Sequence, residues 1–354
     1  LLLLSTTSTT GGMVDCTAAM TAKDGRVILV TGSLNVDNVV LSTRVKTSCN
    51  LAIVKYWGKR DKDLNLPINS SVSVTLDRND LCTVTCVAAS KSFDKDRLWL
   101  NGEEDTGISS NKRMSAVFRE LRARARGMTL TGTSSDKKLT IGDDEIANYK
   151  LWIRSYNTFP TAAGLASSAS GFAALVAAVA QVLGVQESFE GELSAIARQG
   201  SGSATRSLYG GLVRWNMGKL EDGSDSFAVP IQPHTHWPNL RIAVLVINDA
   251  KKGTSSTSGM QLSVKTSDLL AFRAESVVEK RIAVVENAYE RKDMETFARE
   301  MMRDSNQFHA TCFDTYPPIF YMNDASRAVV RLIHSYNDDV GSTVAGYTFD
   351  AGPN

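Results

Sequence analysis

Four short segments of this sequence gather residues that can hold an anion or move a proton. The first is Asn157–Ser170, NTFPTAAGLASSAS, between a stretch with strand character and an alanine-rich run with helical character. The small residues Ala162, Ala163, Gly164 and Ala166 let a ligand approach the backbone, and Ser167 and Ser168 add hydroxyls. The start of the following helix would turn free N–H groups and a partial positive charge toward that ligand, which is the chemistry of a phosphate cradle. The segment has neither the Gly-Lys-Ser/Thr of a P-loop nor the G-x-G-x-x-G dinucleotide fingerprint. A tight strand-to-helix turn with a serine cap would read the same way.

The second segment, Lys55–Lys59 (KYWGK), places two lysines four apart around Tyr56, Trp57 and a glycine at the end of an apolar strand. It suits an anionic ligand at a strand edge, and equally a strand end with snorkelling lysines and a core tryptophan. In the third, Gly200–Arg206 (GSGSATR), two glycines allow unusual backbone angles and Ser201 and Ser203 offer hydroxyls. Arg206, one turn on from Ser203, could clamp a carboxylate or phosphate with its planar fork, or be a surface arginine on a capped helix. The fourth, Phe349–Asn354 (FDAGPN), closes an apolar strand with Asp350, a turn-former or a base. His234 and His236 form an H-x-H pair without a third ligand nearby and read as loop polarity. His309 and His334 fall within helical patterns and read as structural.

The elements that must position these segments follow from periodicity. Residues 49–55 and 71–76 read as strands joined by a polar turn over 59–69, with more strand character at 81–88, 97–100, 151–156 and 212–216. A helix over 110–126 carries Met114, Val117, Phe118 and Leu121 on one stripe, with a last turn of arginines expected as a solvated face and Gly127 as its C′ stop. Helices are also expected over 168–183, 188–199, 267–290, 293–310 and 324–336, and strands over 242–248 and 343–349. Strands come in adjacent pairs as well as alternating with helices, so the class is α+β with two domains. The loop over 234–238 is the boundary, giving an N-terminal domain over 13–232 and a C-terminal one over 233–354. Residues 1–12 are a low-complexity, disordered or non-native extension, excluded from fold reasoning.

Composition narrows the function. A chain of 354 residues with 39 Lys+Arg against 38 Asp+Glu lacks the cationic footprint of a nucleic-acid or membrane-surface binder. No apolar run reaches the roughly 18–20 residues of a membrane span. Cys16, Cys49, Cys82, Cys86 and Cys312 are scattered without C-x-x-C spacing, which fits a reducing compartment better than a disulfide framework or a zinc site.

Taken in order, the segments resemble the mevalonate diphosphate decarboxylases of the GHMP kinase superfamily. The resemblance is carried by NLAIVKYWGKRDKDLNLPINSSVSVTL at 50–76, RLWLNG at 97–102, NTFPTAAGLASSASGFAAL at 157–175, RQGSGSATRSLYGG at 198–211, SSTSGMQ at 255–261, DSNQFHATCFDTYPPIFYMND at 304–324 and YTFDAGPN at 347–354. It implies an N-terminal ATP-binding domain like domain 2 of ribosomal protein S5, a ferredoxin-like C-terminal domain and a cleft between them. It also implies a reaction, the ATP- and magnesium-dependent decarboxylation of mevalonate 5-diphosphate to isopentenyl diphosphate in isoprenoid and sterol biosynthesis. Matching positions carry over as expectations. The nucleotide is expected at Asn157, Pro160, Ala163, Gly164, Leu165, Ala166, Ser167 and Ser168, with Ser168 also at the metal. Asp350, Arg206, Lys55 and Ser168 are expected in catalysis; Tyr56, Lys59, Arg97, Ser201, Ser203, Arg206, Ser256 and Thr257 in substrate binding. A GHMP kinase that phosphorylates and stops differs only in releasing no carbon dioxide. Family members continue past DAGPN with at least one more apolar strand, so the C-terminal domain is expected to be truncated, while a homodimer and a cytoplasmic location are family-level expectations.

Overall fold

The computed structural model describes residues 18–22, 27–31, 35–132, 138–159, 167–246 and 253–352. Among these residues the strands in chain order are β1 (Ala18–Ala22), β2 (Val27–Thr31), β3 (Val40–Ser48), β4 (Asn50–Val54), β5 (Lys59–Asp61), β6 (Leu66–Pro67), β7 (Ser71–Thr75), β8 (Cys82–Ser90), β9 (Arg97–Leu100), β10 (Glu103–Glu104), β11 (Met128–Gly132), β12 (Lys138–Ile141), β13 (Lys150–Asn157), β14 (Gly211–Trp215) and β15 (Ala228–Gln232). The helices are α1 (Lys112–Ala123), α2 (Asp143–Ala147), α3 (Ser167–Val182), α4 (Glu192–Gly200), α5 (Ala204–Ser207), α6 (Ser256–Thr266), α7 (Asp268–Phe272), α8 (Val278–Glu290), α9 (Met294–Asp314) and α10 (Asp324–Val340), with a π turn, Arg273–Val277, between α7 and α8. The α+β, two-domain expectation is borne out.

A larger sheet runs β10-β9-β13-β8-β3-β2-β1-β11-β12, and a smaller one runs β15-β14-β7-β4. The larger sheet lays one face on α1, α3 and α4, where Leu41, Val87, Leu151 and Ile153 meet Val117, Leu121, Val176 and Val179. The alanines of α3 explain its place, because they let the helix sit close against β3 and β8.

The smaller sheet positions the site. In β7 (SVSVT) all five residues are buried, although hydroxyls alternate with valines. Val72 and Val74 join Ile53, Val54 and Leu212 against Val278, Ile282, Val285 and Phe297 of α8 and α9. The other face therefore carries Ser71 and Ser73, aligned by register with Trp215 and Val213 of β14 and, for Ser73, with Ala52 of β4. Buried hydroxyls require partners, and these find one in the cleft.

Three expectations need correction. Of the arginines toward the end of α1, Arg119 and Arg126 are exposed as expected, but Arg122 and Arg124 are not a solvated face. Arg122 donates to the carbonyls of Ala147 and Tyr149 at 2.6 and 2.7 Å and pairs with Asp96, while Arg124 pairs with Glu192 and Glu120. Carbonyls and carboxylates converge on this helix end, so the cations cross-link it to its neighbours. Gly127 is not the C′ residue, since α1 is capped at Arg124; the glycine is needed because a Cβ there would lie 2.5 Å from the carbonyl oxygen of Ile141. The expected strands over 242–248 and 343–349 are not strands where described, and 247–248 lie outside the described residues. A strand exists only with a neighbour sharing its N–H and C=O groups. Over 343–349 those groups go to side chains instead: Asn337 holds Val344 and Ala345, and Ser305 accepts from the Phe349 N–H.

Candidate active site

At the end of β4 the chain delivers Lys55 into the interior. Its side chain is 4% exposed, and Nζ lies 2.6 Å from Asp350 Oδ1. Behind it, the Lys55 N–H donates to Asp304 Oδ2 at 2.8 Å. Residues 295 apart in sequence thus form a cation–carboxylate pair, with Asp350 partly open to the cleft.

Arg206 faces the same cleft from α5 and is 2% exposed. Its Nε donates to Ser73 Oγ at 3.0 Å and Asn50 Oδ1 at 3.3 Å, one terminal nitrogen to Ser71 Oγ, and the other to Asn50 Oδ1 at 3.2 Å. The guanidinium also lies 5.7 Å over the Trp215 ring. Every hydrogen-bond partner is neutral, and burial, against the pull of the Asp350 charge, lowers its pKa to about 10, which leaves it charged in neutral water. Asn50 is itself fixed, donating to Ser207 Oγ at 2.8 Å and to the Ser203 carbonyl at 3.0 Å. A buried cation held by neutral oxygens is poised for an anionic ligand. The turn that presents it depends on Gly202, where a Cβ would sit 2.9 Å from Trp215 and 3.1 Å from Tyr56.

Both groups line a cleft of about 210 Å³. Tyr56, Lys59, Ser168, Ser201, Ser203, Ser256 and Thr257 line it too, so most sequence-derived candidates converge. Ser168, in the first turn of α3, lies 3.5 Å from Ser201 Oγ, which joins the serine segment to the GSGSATR turn. The Tyr56 hydroxyl is buried with no hydrogen-bond partner among the described residues, and its ring meets Trp215 edge-on at 4.7 Å. Lys59 Nζ donates to Asn65 Oδ1 at 2.5 Å; burial and then the like charge of Arg113 bring its pKa down to about 8.

Some candidates fall elsewhere. Pro160, Ala163, Gly164, Leu165 and Ala166 lie outside the described residues. Ser167 begins α3, and Asn157 ends β13 with its Oδ1 accepting from Thr83, so neither lines the cleft. Arg97 does not line the cleft. It pairs with Asp94 at 3.0 Å and stacks over Trp152 at 5.6 Å, because its β9 position aims it along the sheet surface beside β13. Sequence reading missed Arg113, which lines the cleft from the start of α1; only its place after the Asn111 cap could have suggested it. It also missed Asn50, visible in sequence only as a polar residue opening an apolar strand.

Among the described residues no group of three or more His, Cys, Asp or Glu could hold a metal ion. Magnesium bound beside a nucleotide takes mainly phosphate oxygens and water, and Ser168 Oγ offers a hydroxyl for it at the helix N-terminus.

Residues 47–228 match the family model of the diphosphomevalonate decarboxylase-like N-terminal domain, and residues 242–354 that of the mevalonate 5-diphosphate decarboxylase C-terminal domain. The chain belongs to the diphosphomevalonate decarboxylase family. It is 53% identical to diphosphomevalonate decarboxylase from Rattus norvegicus, over 86% of this chain and 73% of the relative. A crystal structure of mevalonate 5-diphosphate decarboxylase superposes with a TM-score of 0.76 at 48% identity, over 88% of this chain and 77% of its own. A second solved family structure, a complex with MVAPP, AMPPCP and magnesium, is 32% identical with a TM-score of 0.70, over 88% of this chain and 87% of its own. Among the described residues no helix is long and apolar enough to cross a membrane.

Proposed function

We propose that this cleft carries out the ATP-dependent decarboxylation of mevalonate 5-diphosphate, giving isopentenyl diphosphate, ADP, phosphate and carbon dioxide. The observation that carries the reading is the buried Arg206, hydrogen-bonded only to neutral oxygens, in one cleft with the Lys55–Asp350 pair. A tertiary hydroxyl is a poor leaving group. Transferring the γ-phosphoryl group of ATP to the 3-hydroxyl makes phosphate the leaving group; the cation-like centre left as it departs draws the electrons of the C–C bond to the carboxylate, and carbon dioxide leaves. No organic electron-sink cofactor is needed.

In this reading Asp350 accepts the hydrogen bond of the 3-hydroxyl and aims it at the γ-phosphoryl group, while Lys55 offsets charge at that oxygen. Positioning contributes more than base strength in a loose phosphoryl-transfer transition state. Arg206 pairs with the substrate carboxylate, and Ser201 and Ser203 hydrogen-bond substrate oxygens. Tyr56 and Lys59 take the diphosphate, with Ser256 and Thr257 at its rim. The orphaned Tyr56 hydroxyl and the carboxylate-free surroundings of Lys59 among the described residues support those roles. Magnesium neutralises phosphate charge when bound, and Ser168 is the hydroxyl that would meet it. The segment 160–166 joins Ser168 in holding the nucleotide.

Cys49, Cys82, Cys86 and Cys312 are free thiols, which supports a reducing, cytoplasmic setting. The homodimer rests on the family resemblance and is tested by light scattering. We place the domain division at 232/233, between the two family-model matches. For the chemistry, Asp350→Asn is expected to abolish turnover while calorimetry still detects ATP binding; a near-normal rate would remove Asp350 from the mechanism.

A further inference from the structure

The reacting pair proposed above joins two chain segments that share no strand pairing among the described residues, so something else must set its geometry. Helix α9 lies behind both segments. Asp304, fully buried, accepts the Lys55 N–H at 2.8 Å and is gripped by Arg273 through two bonds of 2.8 and 3.0 Å. Arg273 reaches on to the Lys55 carbonyl at 3.3 Å, so both main-chain groups of Lys55 are held. Arg273 is the first residue of the π turn over Arg273–Val277 and is fully buried.

The next residue of α9 does the equivalent for the other segment. Ser305 Oγ accepts the Phe349 N–H at 3.0 Å, and one turn later His309 Nε2 lies 3.3 Å from the Phe349 carbonyl oxygen. A carbonyl only accepts, so Nε2 carries the proton. Ser305 and His309 stand four apart on one helix face and hold both main-chain groups of the residue preceding Asp350. The His309 ring is fixed edge-on between Phe308 and Phe349, at 4.7 and 6.3 Å.

We infer that Ser305 and His309, acting with Asp304, are positioning residues that set the Lys55–Asp350 geometry for catalysis. The inference rests on the reading of Lys55 and Asp350 as the reacting pair. Three observations separate it from ordinary packing. The segment carrying Asp350 forms no strand, and Phe349 takes its two main-chain bonds from α9 side chains rather than from a neighbouring strand. The Lys55 and Phe349 anchors are adjacent residues of one helix, Asp304 and Ser305, so a shift of α9 moves both members of the pair together. Burial and the charge of Lys55 hold the imidazole neutral down to about pH 4, against the pull of Asp350 and the Phe349 carbonyl, so the donor adds no charge beside the pair.

The test uses the full chain with ADP release, separating kcat from KM, and with circular dichroism and calorimetric ATP binding as controls. Ser305→Ala removes the acceptor and His309→Phe the donor; His309→Gln restores an N–H near the position of Nε2; Asp350→Asn reports on the reading beneath. The expected result is a fall in kcat of about tenfold or more for Ser305→Ala and His309→Phe, with KM for mevalonate 5-diphosphate and ATP affinity changed by less than about threefold. His309→Gln should return kcat to within about threefold of the parent. The inference is overturned if both deletions keep kcat within about twofold while Asp350→Asn is inactive, or if His309→Gln loses as much as His309→Phe. An active Asp350→Asn would overturn the reading of the pair itself, a distinguishable failure.

Discussion

Arg206→Lys tests whether the buried guanidinium acts as a fork or only as a charge. In the structure its Nε–H and one N–H of each terminal nitrogen meet Asn50, Ser71 and Ser73, which leaves one N–H on each terminal nitrogen without a described partner. A guanidinium with donors to spare can offer a carboxylate two parallel N–H groups. Lysine keeps the charge but offers a compact ammonium, so it cannot satisfy the neutral acceptors and present two parallel donors at once. Losing one charge-assisted hydrogen bond costs about 1.5–3 kcal/mol, which predicts a fall in kcat/KM for mevalonate 5-diphosphate of about 10- to 150-fold. The assay is steady-state ADP release over a range of that substrate at saturating magnesium-ATP, with the melting temperature recorded beside it. A kcat/KM within about threefold of the parent, in a fully folded variant, would refute the fork.

Lys59 titrates with a pKa near 8, lowered by burial, so its positive charge is present below that value and lost above it. Accordingly kcat/KM for mevalonate 5-diphosphate should fall as pH rises through about 8, and Lys59→Met should lack that limb while being slower at pH 7. His309 has its pKa moved by burial from 6.5 to about 4. The unfolded chain therefore binds the proton first as pH falls, and the stability this neutral histidine contributes is lost from pH 6.5 down through about 4, by about 3 kcal/mol at most. Denaturant unfolding at pH 7 and pH 4 should show this extra acid sensitivity in the parent and not in His309→Gln. Gly200→Ala would place a Cβ 2.1 Å from the Phe172 ring where α3 meets α4, and should lower stability by about 1–3 kcal/mol in urea unfolding.

How much was legible in sequence depended on whether the signal was local. The stripe Met114, Val117, Phe118 and Leu121 and the alternation of SVSVT announce their elements because period alone decides which face is buried. Periodicity could not show that the serine face of that strand is buried against Arg206, since both faces being covered is a property of the assembly. Helix α6, STSGMQLSVKT, was missed because serine, threonine and glycine are weak helix formers, and the Ser255 cap and tertiary contacts override them. The strands expected over 242–248 and 343–349 have apolar sequences suited to a sheet, but pairing is a partner's property that no single segment carries. Within the site, Lys55, Arg206 and Asp350 were legible through their motifs. Arg97 lies off the cleft lining because a strand side chain's direction depends on the sheet it joins, and Arg113 gave no signal beyond its place after the Asn111 cap.

The account's central claim is that one cleft both phosphorylates and decarboxylates. The most direct measurement incubates the protein with magnesium-ATP and carboxyl-labelled mevalonate 5-diphosphate and counts ADP and labelled carbon dioxide in the same reaction. The account predicts equal amounts of the two, with isopentenyl diphosphate as product; ADP without carbon dioxide, or neither, would contradict it.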